Sequence, residues 1–324
     1  MSSFADYSSK IKNTFQPKSK KSTFWIGLII ALMAAVFAST INVVGKTLVD
    51  PSLGYVEDAV HPLSLAIFLG LISGLFFTPF AKGKTSPKKF GKKTLFFVLM
   101  LGVTDVLAIT TNFFGLNHTT AVNATILINT ELLFVVIIAF TVFRERIQKR
   151  ETFPLGLIAA GAIIIPIIVD ISENGTFVSG FVVGDMMIIL AALFFALDIS
   201  IARHVSNIIP ATRISQISAF AGIPFALLLM LIFQIPFDIP WDQMPSIVYM
   251  GIFVSGLSYF FFVIALRLIG AIRTVLIYST TTVFGIAFSG FFLGEEITDL
   301  NIFSVVIILG GIYLLRKKFA KLEA

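Results

Sequence analysis

Cysteine is missing from this 324-residue chain, and histidine occurs only three times, at His61, His118 and His204. The first absence rules out a disulfide framework, thiolate metal sites and cysteine nucleophiles. The three histidines are too scattered to build a metal cluster, so no metal is expected. No G-x-x-x-x-G-K-[ST] run occurs, which removes a P-loop nucleotide site, and no cofactor is expected. Charge is also scarce: Asp, Glu, Lys and Arg make up 13% of the chain, against ~25% in soluble domains. What fills the space is apolar, at 57% hydrophobic residues and a mean hydropathy of +0.96. Such a chain belongs in a bilayer, crossing it many times.

A ~30 Å hydrocarbon core takes ~20 helical residues to cross. Ten apolar runs meet or approach that length, at 24–48, 62–81, 94–116, 119–142, 153–171, 180–203, 212–234, 245–267, 270–293 and 300–316. Pro62 and Pro154 stand at helix starts, where a missing N–H costs nothing. Pro224 falls inside the seventh run and predicts a kink. Pro236, Pro240 and Pro245 predict a stiff loop before the eighth. Residues 1–23 form a basic tail with Lys10, Lys12, Lys18, Lys20 and Lys21. The run after it is longer than a signal-peptide core and has no small-residue cleavage site, so it reads as an uncleaved first helix with the N-terminus in the cytosol.

Charge then orients the chain. With the N-terminus inside, the cytoplasmic connections hold Lys82, Lys84, Lys88, Lys89, Lys92 and Lys93, then Arg144, Arg146, Lys149 and Arg150, then Arg203 and Arg213, then Arg267 and Arg273. The C-terminus adds Arg316, Lys317, Lys318 and Lys321, also cytoplasmic. Of 24 Lys and Arg residues only Lys46 falls outside, whereas Asp50, Glu57, Asp58, Asp170, Glu173, Asp238, Asp242, Glu295, Glu296 and Asp299 do so. This is the positive-inside pattern of a multi-pass plasma-membrane protein. The net charge of +6 and pI near 9.5 are thereby a solvated cytoplasmic face that can touch anionic lipid, and no nucleic-acid partner is expected.

The chain repeats itself. A shift of 150 residues lays the third to fifth runs on the eighth to tenth: Leu116 on Leu266, Ala121 on Ala271, Thr130 on Thr280, Phe134 on Phe284, Glu145 on Glu295, Ile147 on Ile297 and Gly161 on Gly311. A shift of 157 lays the first run on the sixth, with Gly27 on Gly184, Ala34 and Ala35 on Ala191 and Ala192, Phe37 on Phe194, and Lys46 on Arg203. Each half, 24–171 and 180–318, has an odd number of runs, so the second enters the membrane from the opposite side. The expected fold is all-α, ten transmembrane helices in two inverted five-helix repeats, an architecture of secondary transporters.

Several stretches resemble the EamA family of the drug/metabolite transporter superfamily. Gly184-Asp185-Met186 through Ala191-Ala192-Leu193-Phe194-Phe195-Ala196-Leu197 to Arg203 is similar to the start of that family's second repeat. Ala265-Leu266-Arg267-Leu268-Ile269-Gly270-Ala271 resembles its "AL-basic-x-x-G/T-A" link, and Arg144-Glu145-Arg146-Ile147 and Gly294-Glu295-Glu296-Ile297 resemble its "GERL" ends. The resemblance covers roughly residues 24–318. It implies a carrier of small organic metabolites such as amino acids or sugars, often working outward. The family often has Glu-Pro where this chain has Glu131-Leu132 and Thr281-Thr282, so no proline calls for a break in the fourth or ninth helix.

Glu131 and Asp105 stand ~11–12 residues from a helix end, near the midplane at 1.5 Å per residue. A charge there is costly, by ~3 kcal/mol on insertion scales. Each is therefore either a proton- or cation-binding acid in a central cavity, or a packing acid bonded to a neighbouring helix. Asn112, seven residues past Asp105, shares its face, near Thr104, Ala108 and Thr111. Asn123, Asn129 and Thr130 give the fourth run a similar stripe. Ser279, Thr280, Thr281 and Thr282, with Tyr278 and Tyr259 nearby, repeat it on the ninth. All are candidate substrate contacts, although such hydroxyls also bond to their own helix backbone. Asn42 and Lys46 share a face at i, i+4; Lys46 reads as a cation snorkelling to the interface or attracting an anionic group. Asp198 reads as a gate or a hydrated acid near the cytoplasmic end of the sixth helix, Asp185 as a helix N-terminal charge, Glu145 and Glu295 as helix-end residues with a structural or gating part, and His118 as a solvated turn residue. Gly70-x-x-x-Gly74 and Gly290-x-x-x-Gly294 serve close packing or a homodimer.

The expected function is gradient-driven carriage of a small organic solute by alternating access, outward and proton-coupled. The alternative is an integral-membrane enzyme or receptor for lipid-linked or small-molecule ligands. An enzyme needs acid, base or metal groups gathered at one interface, which this sequence does not offer, so no enzymatic activity is expected.

Overall fold

The computed structural model describes residues 20–55, 57, 59–81, 91–142, 152–164, 180–206, 209–237 and 241–321. The basic loops that set the expected orientation, including Lys82 and Arg144, lie mostly outside these residues. So do Glu145, Asp58, Asp170, Glu173, Asp238 and residues 1–19 of the tail.

Every regular element among the described residues is helical. Hydrocarbon offers no partner for a backbone N–H or C=O, and a helix satisfies both internally. The helices are α1 (Lys20–Ala38), α2 (Ile41–Val49), α3 (Pro62–Ala81), α4 (Lys92–Leu116), α5 (Ala121–Leu127), α6 (Thr130–Thr141), α7 (Thr152–Ala159), α8 (Gly180–Ser206), α9 (Ala211–Phe233), α10 (Met244–Tyr249), α11 (Tyr259–Ile269), α12 (Ala271–Tyr278), α13 (Thr281–Phe288) and α14 (Asp299–Lys321). Wider π-helical turns at Ala160–Ile164, Met250–Ser258 and Ser289–Leu293 continue α7, join α10 to α11 and extend α13. Among the described residues seven stretches are long and apolar enough to cross a membrane: Thr23–Val49, Pro62–Ala81, Lys92–Leu116, Ala121–Ile138, Val183–Ser206, Ala211–Phe233 and Trp241–Ile269. Thr152–Ala162, Thr281–Leu293 and Asp299–Leu314 are shorter apolar stretches among them. The expected run at 153–171 is described only to Ile164, and Asp299–Leu314 is part of the longer α14.

Some of the expected runs are interrupted, and the interruptions have a local cause. The fourth run breaks between α5 and α6 and the ninth between α12 and α13, without proline. At the first break Asn129 N bonds Ile126 O at 3.2 Å, a tight i to i−3 turn. The Asn129 amide also donates to Thr125 O and Ile126 O, at 3.2 and 2.9 Å. At the second, Thr280 N and Thr280 Oγ1 both reach Ile277 O, at 3.1 and 2.8 Å, and Ser279 Oγ reaches Val275 O at 2.9 Å. A third break separates α1 from α2, where Ser39 Oγ and Thr40 Oγ1 donate to Val36 O and Phe37 O. Short polar side chains that bond back to carbonyls compete with the ladder and tighten it locally. Pro224, by contrast, sits inside α9, which runs on through it.

Packing joins α4 to α8 and α9, α3 to α9, α1 to α11, α6 to α8, and α7 to α14. Small residues set these crossings. Gly102 of α4 lies against the backbone of Ala221 and Gly222 of α9, leaving no room for a Cβ. Gly70 and Gly74 of α3 are seated on Ala219 and Phe220 of α9, so that spacing serves packing within the chain; Gly290 lies against Ile297, whereas a Cβ on Gly294 would meet nothing within 4 Å. Large side chains such as Leu231, Phe233 and Phe291 lie exposed on the outer helix faces, as lipid contact requires.

Candidate functional site

A cavity of about 160 Å³ opens among α1, α2, α4, the α5–α6 break, α8, α9, the Met250–Ser258 turn and the α12–α13 break. Space of that order accommodates a benzene-sized solute. Glu131, Asp105 and Asp198 line it, as do Asn42, Asn112, Asn129, Tyr259, Tyr278, Ser279 and Thr281. Residues expected as candidates from separate parts of the sequence therefore share one space. Lys46 and Thr280 stand outside the lining; the Thr280 hydroxyl is turned back onto Ile277 O.

The acids gather on one side. Asp198 of α8 is 4% exposed and accepts from Thr104 Oγ1 of α4 at 3.3 Å. It interacts electrostatically with Asp105, Tyr259 and Glu131. Asp198 was expected near the cytoplasmic end of its helix; α8 runs to Ser206, two turns further, and this places the carboxylate in the cavity. Glu131, in the first turn of α6, faces Tyr278 of α12. The helix breaks put both residues where two short helices meet.

The amides gather elsewhere. Asn112 Nδ2 donates to Asn42 Oδ1 at 3.2 Å, and Asn42 Nδ2 donates to Thr125 Oγ1 at 3.1 Å. Asn129 and Thr282 exchange two hydrogen bonds, at 2.7 and 3.0 Å, from one break to the other. Thr282 thus acts through Asn129. Ser215, Ser218, Ser255 and Ser258 also line the cavity. Sequence reasoning passed over these serines because an isolated Ser in an apolar run carries no periodic signal.

A second polar cluster lies at the junction of α2, α4 and α5. Lys46 is 7% exposed rather than snorkelling. Its ammonium donates to Leu116 O at 2.8 Å and Thr119 O at 2.7 Å, and pairs with Asp50 at 2.9 Å. The last carbonyls of a helix carry partial negative charge, and a buried cation is well placed against them. Burial alone would push the Asp50 carboxyl up, but the Ser52 hydroxyl, the Lys46 ammonium and Ser52 N–H outweigh it and hold the group below its ordinary value. Thr119 Oγ1 donates to Asp185 Oδ1 at 2.6 Å, which ties α8 to the turn between α4 and α5. Glu295 accepts from Ala121 N and Val122 N, each at 2.8 Å. It caps a helix 174 residues away, a partner that no local motif announces. His118 is exposed in its turn, as expected. Away from this cluster, the Arg267 guanidinium donates to the carbonyls of Ser206 and Ile209. Among the described residues no three His, Cys, Asp or Glu side chains group closely enough to hold a metal ion.

Comparison with known proteins adds a family and a fold. The EamA-like transporter family matches residues 25–167 and again residues 182–317. An uncharacterized transporter of Methanothermobacter thermautotrophicus is 26% identical over 272 residues, 80% of this chain and 79% of that one. The uncharacterized transporter YetK of Bacillus subtilis is 25% identical over 88% of this chain and 84% of its own. A protein known from a crystal structure shares the fold with a TM-score of 0.67 at 18% identity, covering 94% of this chain and 100% of that one.

Proposed function

Because the chain belongs to the EamA-like transporter family, we propose that it exports a small organic metabolite, of amino-acid size, across the plasma membrane by alternating access. The working unit is two inverted five-helix repeats making ten passages, with both termini in the cytosol. The observation that carries this reading is the cavity between two helix breaks, at 128–129 and 279–280, which the shift of 150 brings to within one residue of each other.

Reciprocal packing supports the repeat. A Cβ on Gly161 would meet Ile308 and Ser304 O; one on Gly311 would meet Ile158 and Pro154 O. Each pair of partners is related by the same shift of 150 that relates the glycines. Likewise Gly27 approaches Leu268, and Gly184 approaches His118, its repeat equivalent. Contacts that swap partners under one operation are those of a two-fold axis, and in a transporter such an axis exchanges inward-open and outward-open states.

In this mechanism the solute enters the cavity and meets Glu131, Asp105 and Asp198. The cluster of Lys46, Asp50, Asp185 and Glu295 closes the outer end and must loosen for release. Glu131 and Asp105 bind the solute's positive charge or a coupled proton, so that reorientation is linked to their occupancy. The test is exchange of a radiolabelled metabolite panel by purified protein in liposomes, with and without a pH gradient. At least one solute should exchange in wild type and be lost in Glu131→Gln; failure of every solute class to exchange would refute the reading.

A further inference from the structure

The cavity's chemistry is asymmetric in a way that bears on what it carries, provided that the cavity is the transport site proposed above. We infer that its ligand is a primary or secondary organic amine whose far end is uncharged and hydrogen-bonding, an amino alcohol or amino amide and not a zwitterion or an acid.

The first ground is the lining's charge. Three carboxylates, Asp105, Glu131 and Asp198, line the cavity, and among the described residues no Lys, Arg or His does. Lys46 is already engaged by two carbonyls and Asp50. A carboxylate on the solute would enter a site with three acids and no cation. Burying a charge without a partner is strongly unfavourable.

The second ground is spacing. Asp105 and Asn112 both line the cavity from α4, and seven residues at 1.5 Å each put them ~10 Å apart along the axis. Asp105 belongs with Asp198 and Tyr259; Asn112 belongs with Asn42 and Thr125. A carboxylate end and an amide end are therefore separated by the length of a small chain molecule. Amides accept and donate without charge, so the far end of the solute is neutral.

The third ground is an unfilled hydrogen-bonding group. Ser215 Oγ, on a residue that lines the cavity and is 2% exposed, has no hydrogen-bond partner among the described residues. A buried hydroxyl left alone costs ~1–3 kcal/mol, and a ligand in the cavity can recover it. An ammonium carries up to three N–H donors. The carboxylates of Asp105 and Asp198 and a hydroxyl oxygen supply three acceptors, a set that a quaternary ammonium, having no N–H, cannot use.

The test uses four four-carbon probes on the purified full-length protein in detergent at neutral pH: 4-aminobutan-1-ol, 4-aminobutanoate, succinate and butane-1,4-diol. Affinity is read from the concentration dependence of the melting temperature. The amino alcohol should bind at least ~10-fold more tightly than each of the others, a difference of ~1.4 kcal/mol. Asp105→Asn and Asp198→Asn should each erase that preference. Ser215→Ala, which removes the lone hydroxyl and strands no partner, should weaken the amino alcohol several-fold while leaving the ligand-free melting temperature equal or higher. That variant keeps the test decisive if an acid variant fails to fold. Equal or tighter binding of 4-aminobutanoate or succinate overturns the inference while leaving transport standing. No response to any of the four probes also overturns it. The transport reading falls separately, when no solute class exchanges in liposomes.

Discussion

Lys46 shows how much a single side chain depends on neighbours far away in sequence. On its own helix it is a cation near a membrane end with only Asp50, four residues on, within reach, and snorkelling is the ordinary fate of such a residue. The fold adds two carbonyls from distant residues to its ammonium. Lys46→Met leaves those carbonyls without this donor and should lower stability by ~1–3 kcal/mol, read as a drop in melting temperature of the purified protein. The pH dependence has a definite sign. Asp50 is held below its ordinary value, so its contribution is complete above the ordinary carboxylate range and is lost as pH falls through its lowered value. Acidification below pH ~4 should therefore depress the wild-type melting point, and Asp50→Asn should flatten that slope. Glu131 and Asp105 stood out in the sequence because an acid in an apolar run is rare. Asp198 and Glu295 could not be placed, since what they touch comes from the other repeat.

At the scale of elements, the breaks are the main addition to what the sequence disclosed. Length and hydropathy located the runs, but they do not say where a helix stops and restarts inside one. That is decided by Ser39, Thr40, Asn129, Ser279 and Thr280, whose side chains bond back to the preceding turn. Asn129→Leu removes the amide from two carbonyls and from Thr282; it should cost ~1–3 kcal/mol and lower transport more than stability, measured as exchange rate beside melting temperature. Glu295→Gln keeps the shape but loses the charge at the N-terminus of α5. Charge-assisted hydrogen bonds of this kind are worth ~1.5–3 kcal/mol, so the outer closure should weaken, seen as faster hydrogen exchange at Ala121 and Val122. The helical stretches at Thr152–Ala162 and Asp299–Leu314 pack through Gly161 and Gly311; Gly161→Val pushes a side chain onto Ser304 O and should destabilise by ~1–3 kcal/mol.

For the molecule as a whole, composition alone established the membrane setting, and the repeat was visible in its shared landmarks. Orientation rested on loop charge, and most of those loops lie outside the described residues. It has a direct test, helped by the absence of native cysteine. Tyr55 is 53% exposed and Trp241 86% exposed. Tyr55→Cys and Trp241→Cys should react with a membrane-impermeant maleimide added to intact cells; labelling only after the cells are opened would reverse the topology.

Under the rocking of two halves proposed above, the meeting of Gly102 with Gly222 would be the point they turn about. With backbone against backbone, nothing compressible lies between the helices, and the contact would work as a fulcrum. Asp105 stands one turn from it, ~4.5 Å along α4, and Leu116 stands ~21 Å away. On those lever arms a tilt of ~10° displaces the acid by less than ~1 Å and the far end by almost ~4 Å. In such a tilt the acid proposed to hold the solute would stay nearly still, while the carbonyl of Leu116, which anchors Lys46, would sweep far enough to break its hydrogen bond.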